Sequence, residues 1–421
     1  MTSILSLDRL RFLAGHLRER LWLKPLAICL ASIGAAFVAK FADTTQLGEF
    51  VPQISAESLE YLLSVMASSM LLVATFAVAS MIAAYGSASR NTTPRSFPLV
   101  VADDVSQNAL STFIGSFIYS IVALTSLKHD FFGKAALFTL FALTVIMFAI
   151  VIVTFVRWVD RIARLGRLGE TVDTIEEATC AALERRRCAP TMGCAPPTEH
   201  KDEGVPVFDS KVGYVQHIDV KALQKWAAAN SATVVVELVP GGFATPDRAL
   251  ARVHADDGVF EPKVLAAVAD AFTIGGDRRF DSDPRFGLVV LAETAARALS
   301  PAVNDMGTAI DILGTLVRLF VEWSAPRDDE PEPEVRFERV QVPRLSVEDM
   351  TDDAFTAIAR DGAGLVEVGI RLQKALNSRS NVGDPVLTRA AQRHARLALA
   401  RAERAGLLPE DLEAVRAAHR A

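Results

Sequence analysis

Charge is absent from three long stretches of this chain, and the absence decides its class. Residues 61–84 (YLLSVMASSMLLVATFAVASMIAA), 108–127 (NALSTFIGSFIYSIVALTSL) and 135–156 (AALFTLFALTVIMFAIVIVTFV) contain no Asp, Glu, His, Lys or Arg. A water-facing helix of that length would carry a polar face, whereas about 20 apolar residues in a helix cross the roughly 30 Å hydrocarbon layer of a bilayer. With no carboxylate or histidine in these three spans, a proton-coupled transporter with a carboxylate relay is not expected. A basic excess is missing too: the net charge is -6, so a nucleic-acid partner, which needs a cationic face against phosphate, is not expected. With only four cysteines in 421 residues, no secreted disulfide framework is expected. Cys188 and Cys194 are spaced too widely for a zinc knuckle and have no histidine at ligand spacing, so they read as reduced thiols in a linker and no metal or cofactor is expected.

What is present is strongly segregated. Hydrophobic residues make up 51% of the chain and charged residues 22%, an unusual pair of values that divides it into unlike halves. A fourth apolar segment, 25–39, lies between Lys24 and Lys40, which can snorkel to the interface while Phe41 and Ala42 extend it to 25–42, and it reads as a span rather than a signal peptide because no small-residue cleavage site precedes Lys40. Arg9, Arg11, Arg18, Arg20 and Lys24 precede this span, and Asp43, Glu49, Glu57 and Glu60 follow it. The positive-inside rule then puts the N-terminus in the cytoplasm, and four spans return the chain there, before Arg157, Arg161, Arg164 and Arg167. The expected layout is a basic cytoplasmic segment (1–24), a four-helix transmembrane domain (25–158, with spans 25–42, 61–84, 108–127 and 135–156), an amphipathic connecting helix and mobile loop (159–204), a cytoplasmic α+β domain (205–323), a Pro-rich acidic linker and strand (324–346), and a helical C-terminal region (347–421). The fold class is therefore a membrane protein of four transmembrane α-helices followed by a cytoplasmic α+β domain. Thr112, Ser116 and Ser120, at four-residue spacing, let helices approach closely in lipid. The competing reading is that they line a pore, which four helices would enclose only as an oligomer.

In the cytoplasmic half, VPVFDSKVGYVQHI (205–218), TVVVELV (233–239) and VRFERVQVP (335–343) read as strands from their β-branched and aromatic content. DVKALQKWAAAN (219–230) reads as a helix capped by Asp219. The PGG turn at 240–242 introduces a further strand, and EPKVLAAVADAFT (261–273) reads as a helix. The Arg and His side chains of 347–421 read as a solvated face, opposite an apolar stripe of Leu365, Val368, Leu372 and Leu376.

The densest chemistry lies in GDRRFDSDPRFGLVVLAETAARALSPAVNDMGTA, 276–309. Its candidate residues are Arg278, Asp283, Phe286, Arg297, Ser300, Pro301, Asn304 and Asp305. Pro284 suits the first turn of a helix, where its missing N–H costs nothing, so Asp283 is the expected N-cap. Ser300 and Pro301 repeat the pattern as the expected cap and opening of a second helix, with Asn304 and Asp305 in its first turn. Arg297 closes the first helix, at the negative end of its dipole. An enzyme would use Asp281, Asp283 or Asp305 as acid or base, yet the stretch has no histidine and no activated nucleophile, so no catalytic residue is assigned. Two readings remain: a structural joint made of caps and ion pairs, or a site for a small anion or ion.

At SKVGYVQHID (210–219), PRSFPLVVADDVSQNALSTFIGSFIYS (94–120) and above all DPRFGLVVLAETAARALSPAVNDMGTA (283–309), the sequence resembles a bacterial family of predicted integral membrane proteins, catalogued as domain of unknown function 2254. The chain departs from that family's pattern at Met306, Gly307, Arg279 and Ser282. The resemblance implies a multi-pass protein of the bacterial inner membrane and carries no reaction with it. The expected function is an oligomeric channel or pore for ions or small solutes, assembled or gated by the cytoplasmic domain; the alternative is a non-transporting scaffold or sensor whose domain binds a ligand or protein. The lipid bilayer and further copies of the chain are the expected partners.

Overall fold

The computed structural model describes residues 23–44, 51–91, 93–101, 103–129, 131–164, 167–198, 204–255, 260, 262–325, 334–380 and 384–420. The basic residues Arg9, Arg11, Arg18 and Arg20, the loop 199–203 and the acidic run 326–333 lie outside them. The described residues form two compact units, 23–171 and 172–420.

The first unit is built from α1 (Leu23–Phe41), α2 (Ala56–Asn91), the short α3 (Phe97–Val101), α4 (Asp104–Lys128) and α5 (Lys134–Arg164). Four stretches, Lys24–Thr44, Ala56–Ser87, Asp104–Lys128 and Lys134–Arg164, are long and apolar enough to cross a membrane. On α2 the positions Leu59, Leu63, Met66, Met70, Ala74 and Ala77 recur at helical spacing and are buried against Phe113, Tyr119 and Ala123 of α4 and Leu140 and Trp158 of α5. The opposite face is apolar as well, with Leu72, Phe76 and Ile82 of α2 and Ile146, Ile152 and Val156 of α5 exposed. Several hydroxyl groups in the helices bond to their own backbone. Ser68, Thr75, Ser111, Thr112, Ser120 and Thr125 each donate to the carbonyl four residues back, at 2.6–3.1 Å. Tyr119 Oη crosses to α5 and lies 3.0 Å from Thr144 Oγ1 and 3.2 Å from the Leu140 carbonyl. At one end Asp43 accepts the amides of Gly133 and Ala136 (2.8 and 2.9 Å), capping α5 from the end of α1.

In the expected connecting region, α5 extends to Arg164 and α6 spans Leu168–Cys188. The second unit then places two sheets among helices. One has the strand order β1-β8-β4-β6-β2, from Cys194–Ala195, Phe337–Gln341, Ala232–Val236, Ala251–Ala255 and Val205–Val207. β8 is parallel to both β1 and β4, while β6 is antiparallel to β4 and β2. The other sheet, β5-β3-β7 (Phe243–Ala244, Gly213–Ile218, Phe272–Gly275), is antiparallel. Val215, Ile218, Val234, Val236, Val253 and Val340 form the core, together with Leu223 of α7 (Val220–Ala229) and Val268 of α8 (Pro262–Ala269). Asp219 caps α7 as expected, accepting the Ala222 amide at 3.0 Å.

Three expectations are corrected. The helix expected over 261–273 ends at Ala269, because the aromatic and β-branched Phe272, Thr273 and Ile274 pair with β3 instead. The loop expected over 188–204 holds β1, with Cys194 fully buried against β8 rather than lying in a linker. Burial pushes the Cys194 thiol up to about 12, with the Arg186 charge opposing it. In the C-terminal region, helices α11 (Val347–Asp361), α12 (Val366–Ser380), α13 (Pro385–Arg404) and α14 (Pro409–Arg420) follow the expected helical pattern. His394 on α13, however, is only 1% exposed and bonds Asp352 of α11 at 2.7 Å, so it does not belong to a solvated face.

Candidate functional site

The 276–309 stretch lies wholly in the second unit. It comprises the exit from β7, the helix α9 (Pro284–Ala298), a reversal, and the start of α10 (Met306–Ser324). Asp283 is the N-cap of α9: its Oδ1 accepts the Arg285 amide at 3.1 Å, and Pro284 occupies the first turn. Its second oxygen, Oδ2, accepts Arg278 Nε at 2.6 Å. The carboxylate is 2% exposed and the Arg278 side chain 18%, so the pair is largely shielded from water. The guanidinium also stands 5.3 Å over the Phe286 ring, which packs against Phe280 with centroids 4.5 Å apart. Burial pushes the Asp283 carboxyl above its usual value, opposed by the Arg278 bond and charge and by the Arg285 amide.

The PGG turn forms the wall of this pocket. Gly241 has φ +92, and a Cβ there would fall 2.2 Å from Asp283 Oδ2, so only glycine lets the loop lie against the carboxylate. The loop is fixed in turn by β3, through Gly241 N to Val215 O and Val215 N to Gly242 O, both 2.9 Å. From the same strand Gln216 Nε2 donates to the Asp277 carbonyl (2.8 Å), and the Gln216 carbonyl accepts Ser282 Oγ (2.6 Å). On the far side, Arg285 bonds Asp353 (2.7 Å) and Asp349 (2.5 Å) of α11. These two carboxylates hold the Arg285 guanidinium above its usual value, against a desolvation that lowers it.

The second half of the stretch differs from expectation. Ser300 does not cap a helix and Pro301 does not open one. Ser300 Oγ donates back to the Arg297 carbonyl at 2.7 Å, and its own carbonyl accepts the amides of Val303 (3.0 Å) and Asn304 (2.8 Å). Asn304 then takes φ +51, a left-handed conformation that asparagine tolerates better than most side chains and that breaks any helix begun at Pro301. The Asp305 amide returns to the Ala298 carbonyl at 2.8 Å, and Asp305 is the actual cap of α10. Its Oδ1 accepts the Thr308 amide (3.1 Å) and its Oδ2 the Thr308 hydroxyl (2.6 Å). These bonds hold the Asp305 carboxyl below the usual range. Arg297 stands exposed in the last turn of α9, as expected.

The eight candidate residues therefore separate into two groups. Arg278, Asp283 and Phe286 form one pocket with Gly241 and Phe280. Arg297, Ser300, Pro301, Asn304 and Asp305 form the reversal between α9 and α10, whose residues 301–304 are exposed. The sequence reading missed Gln216, Gly241, Arg285, Asp349 and Asp353. The available signals were the doubled glycine after Pro240 and the four-residue spacing of Asp349 and Asp353, which places both on one helix face. Chemically, both Asp283 oxygens are engaged, and among the described residues no group of three or more His, Cys, Asp or Glu could hold a metal ion.

Comparison with known proteins matches residues 18–378 to a family described as "Predicted membrane protein (DUF2254)". Uncharacterized proteins of Mycobacterium tuberculosis (strain CDC 1551 / Oshkosh) and Mycobacterium bovis (strain ATCC BAA-935 / AF2122/97) are each 33% identical to the chain over 125 residues, which is 28% of this chain and 23% of theirs. The chain thus spans about a quarter of the length of these curated relatives. No solved structure matches.

Proposed function

This chain belongs to the DUF2254 family of predicted membrane proteins, and from that premise we propose that its four apolar helices cross the bacterial inner membrane and that several copies together form a pore for ions or small solutes. Both termini and residues 172–421 face the cytoplasm in this reading, and that unit assembles or gates the pore. Membrane insertion is supported by helices that are apolar on both faces, a pattern suited to lipid outside and protein inside. The pore reading rests on α4. Among the described residues this helix buries Ser106, Gln107, Ser111, Ser116 and Ser120, whereas α1 buries Ser32 and α5 buries Thr144. The reading is non-enzymatic, because the buried carboxylate at 283 is committed to a cap and an ion pair and no activated nucleophile accompanies it.

The second reading, a membrane-anchored scaffold or sensor, is favoured by the hydroxyls of Ser111 and Ser120, which bond their own helix carbonyls and so serve close packing. Reconstitution into liposomes separates the two. The pore reading expects intersubunit crosslinks and a solute or ion leak that falls on Ser116→Leu. Absence of flux for every ion and small solute tried, with monomers only, would overturn it. Capture of a protein by the full chain, retained when the apolar helices are exchanged for an unrelated anchor, would establish the scaffold.

A further inference from the structure

We infer that Arg157, on α5, holds the phosphate of an anionic phospholipid at the edge of the membrane; the inference rests on the proposed insertion of the apolar helices. The depth of Arg157 follows from the residues before it. The uncharged run 135–156 of α5 rises about 33 Å as a helix, close to the roughly 30 Å of bilayer hydrocarbon. Arg157 is the first charged residue after that run.

Its direction follows from helical spacing. Ile146, Ile150, Val153 and Arg157 recur every three or four residues along one face of α5, and all four are exposed. Leu140, Thr144, Val151 and Trp158, on another face, are buried in the bundle. Helix–helix contacts within a membrane favour small residues, whereas the face that leads to Arg157 carries Ile146, Ile150 and Val153. Lipid is therefore the neighbour that suits it.

The ion pairs at this end of the bundle leave Arg157 over. Arg161, about one turn further along α5, donates to Asp103 at 2.9 Å and to Glu170 at 3.1 Å. Arg164 donates to Asp160 at 3.1 Å, and Lys24 donates to Asp104. These four carboxylates each have a cation of the chain, and among the described residues no carboxylate pairs with Arg157. A guanidinium at the hydrocarbon edge can lay its aliphatic stem along apolar neighbours and carry its charge to the headgroups. There its forked N–H groups match two oxygens of one phosphate. Phosphatidylcholine sets its own cation beside that phosphate, so a lipid with a net negative headgroup, such as phosphatidylglycerol, is the better partner.

The test is native mass spectrometry of the full chain in neutral detergent, titrated with phosphatidylglycerol or with phosphatidylcholine of the same acyl chains. Phosphatidylglycerol is expected to bind more tightly, and Arg157→Gln should weaken its binding about fivefold, the weight of one basic side chain at an anionic surface. Arg157→Lys should retain part of the binding. Arg420→Gln, which removes the same charge from α14, should leave it unchanged. Equal phosphatidylglycerol binding by Arg157→Gln and the unchanged chain overturns the inference, as does an equal loss in Arg420→Gln. A fall in oligomers on Arg157→Gln, with lipid binding intact, overturns it too and assigns the side chain to a second copy. Retention in carbonate-washed membranes reads insertion separately. A chain that washes off overturns the membrane reading and this inference with it, whereas a retained chain with unaltered lipid binding overturns the inference alone.

Discussion

Gly287 sets the tightest steric constraint at the residue scale. A Cβ there would fall 1.8 Å from Thr179 Oγ1 and 2.7 Å from Thr179 Cβ, so α9 touches α6 backbone to side chain. Thr179 cannot swing away freely, since it is buried and its hydroxyl donates to the Ile175 carbonyl. Gly287→Ala is expected to cost about 3 kcal/mol, the upper range for overpacking a core. Thr179→Ala added to it should recover most of the loss, and equal melting temperatures for Gly287→Ala and the unchanged protein would refute the contact. Asp283 tests the neighbouring pocket by charge instead of volume. Asp283→Ala leaves Arg278 shielded without its carboxylate and removes the cap of α9, a combination expected to cost about 3–5 kcal/mol. Asp283→Asn keeps an acceptor for the Arg285 amide and should cost less. Equal losses in chemical denaturation would show that the amide bond contributes nothing.

Caps and chain reversals belong to the scale of elements, and there the exchange of Ser300 for Asp305 is measurable. Asp305→Ala removes both bonds to Thr308 and should destabilise the chain by about 1 kcal/mol, whereas Ser300→Ala should cost less. Because those bonds lower the Asp305 carboxyl in the folded state, its contribution is complete above the unfolded carboxylate value of about 3.9. It is lost as pH falls through the folded value, so the two proteins should converge in stability in acid. The reason Ser300 misled is physical: Ser-Pro and Asp at a cap have the same local signature, and only the left-handed turn at Asn304 decides between them. Uncharged runs were readable because lipid-length apolarity needs no partner to be recognised, and Asp219 and Asp283 were readable because a cap is satisfied within one turn. Phe272–Gly275, Cys194 and His394 were not, since each takes its state from a distant partner: β3, β8 and Asp352 respectively. At the candidate site the sequence exposed Asp283 and Arg278 but hid the Gly241 wall, which depends on the packing of a loop against the carboxylate.

For the molecule as a whole, pH sensitivity should concentrate where α11 and α13 meet. Burial lowers His394 below the usual imidazole value, against its bond to Asp352, and Arg393 and Arg401 lower it further. Asp352 is held below the carboxylate range by Arg393 and His394 despite its own desolvation, so it titrates only in acid. The folded chain therefore binds fewer protons at His394 than the unfolded chain, and stability must rise with pH across this window. The contribution is full above about pH 6.5 and is lost as pH falls through the folded value. His394→Gln should flatten that part of the melting-temperature profile, and an unchanged slope would place the sensitivity elsewhere. The strand order of the larger sheet has a consequence of another kind. β8 lies between β1 and β4, although it follows both in the chain with α9 and α10 intervening. While the protein is being synthesised, β1 and one side of β4 have no neighbour until Gln341 has left the ribosome. The apolar bundle can be complete long before this, so every nascent chain passes through a period with an unfinished sheet and open strand edges, the form most prone to pairing with another chain. Chains that terminate before Phe337 would remain in that state, and degradation or chaperone capture is their expected fate.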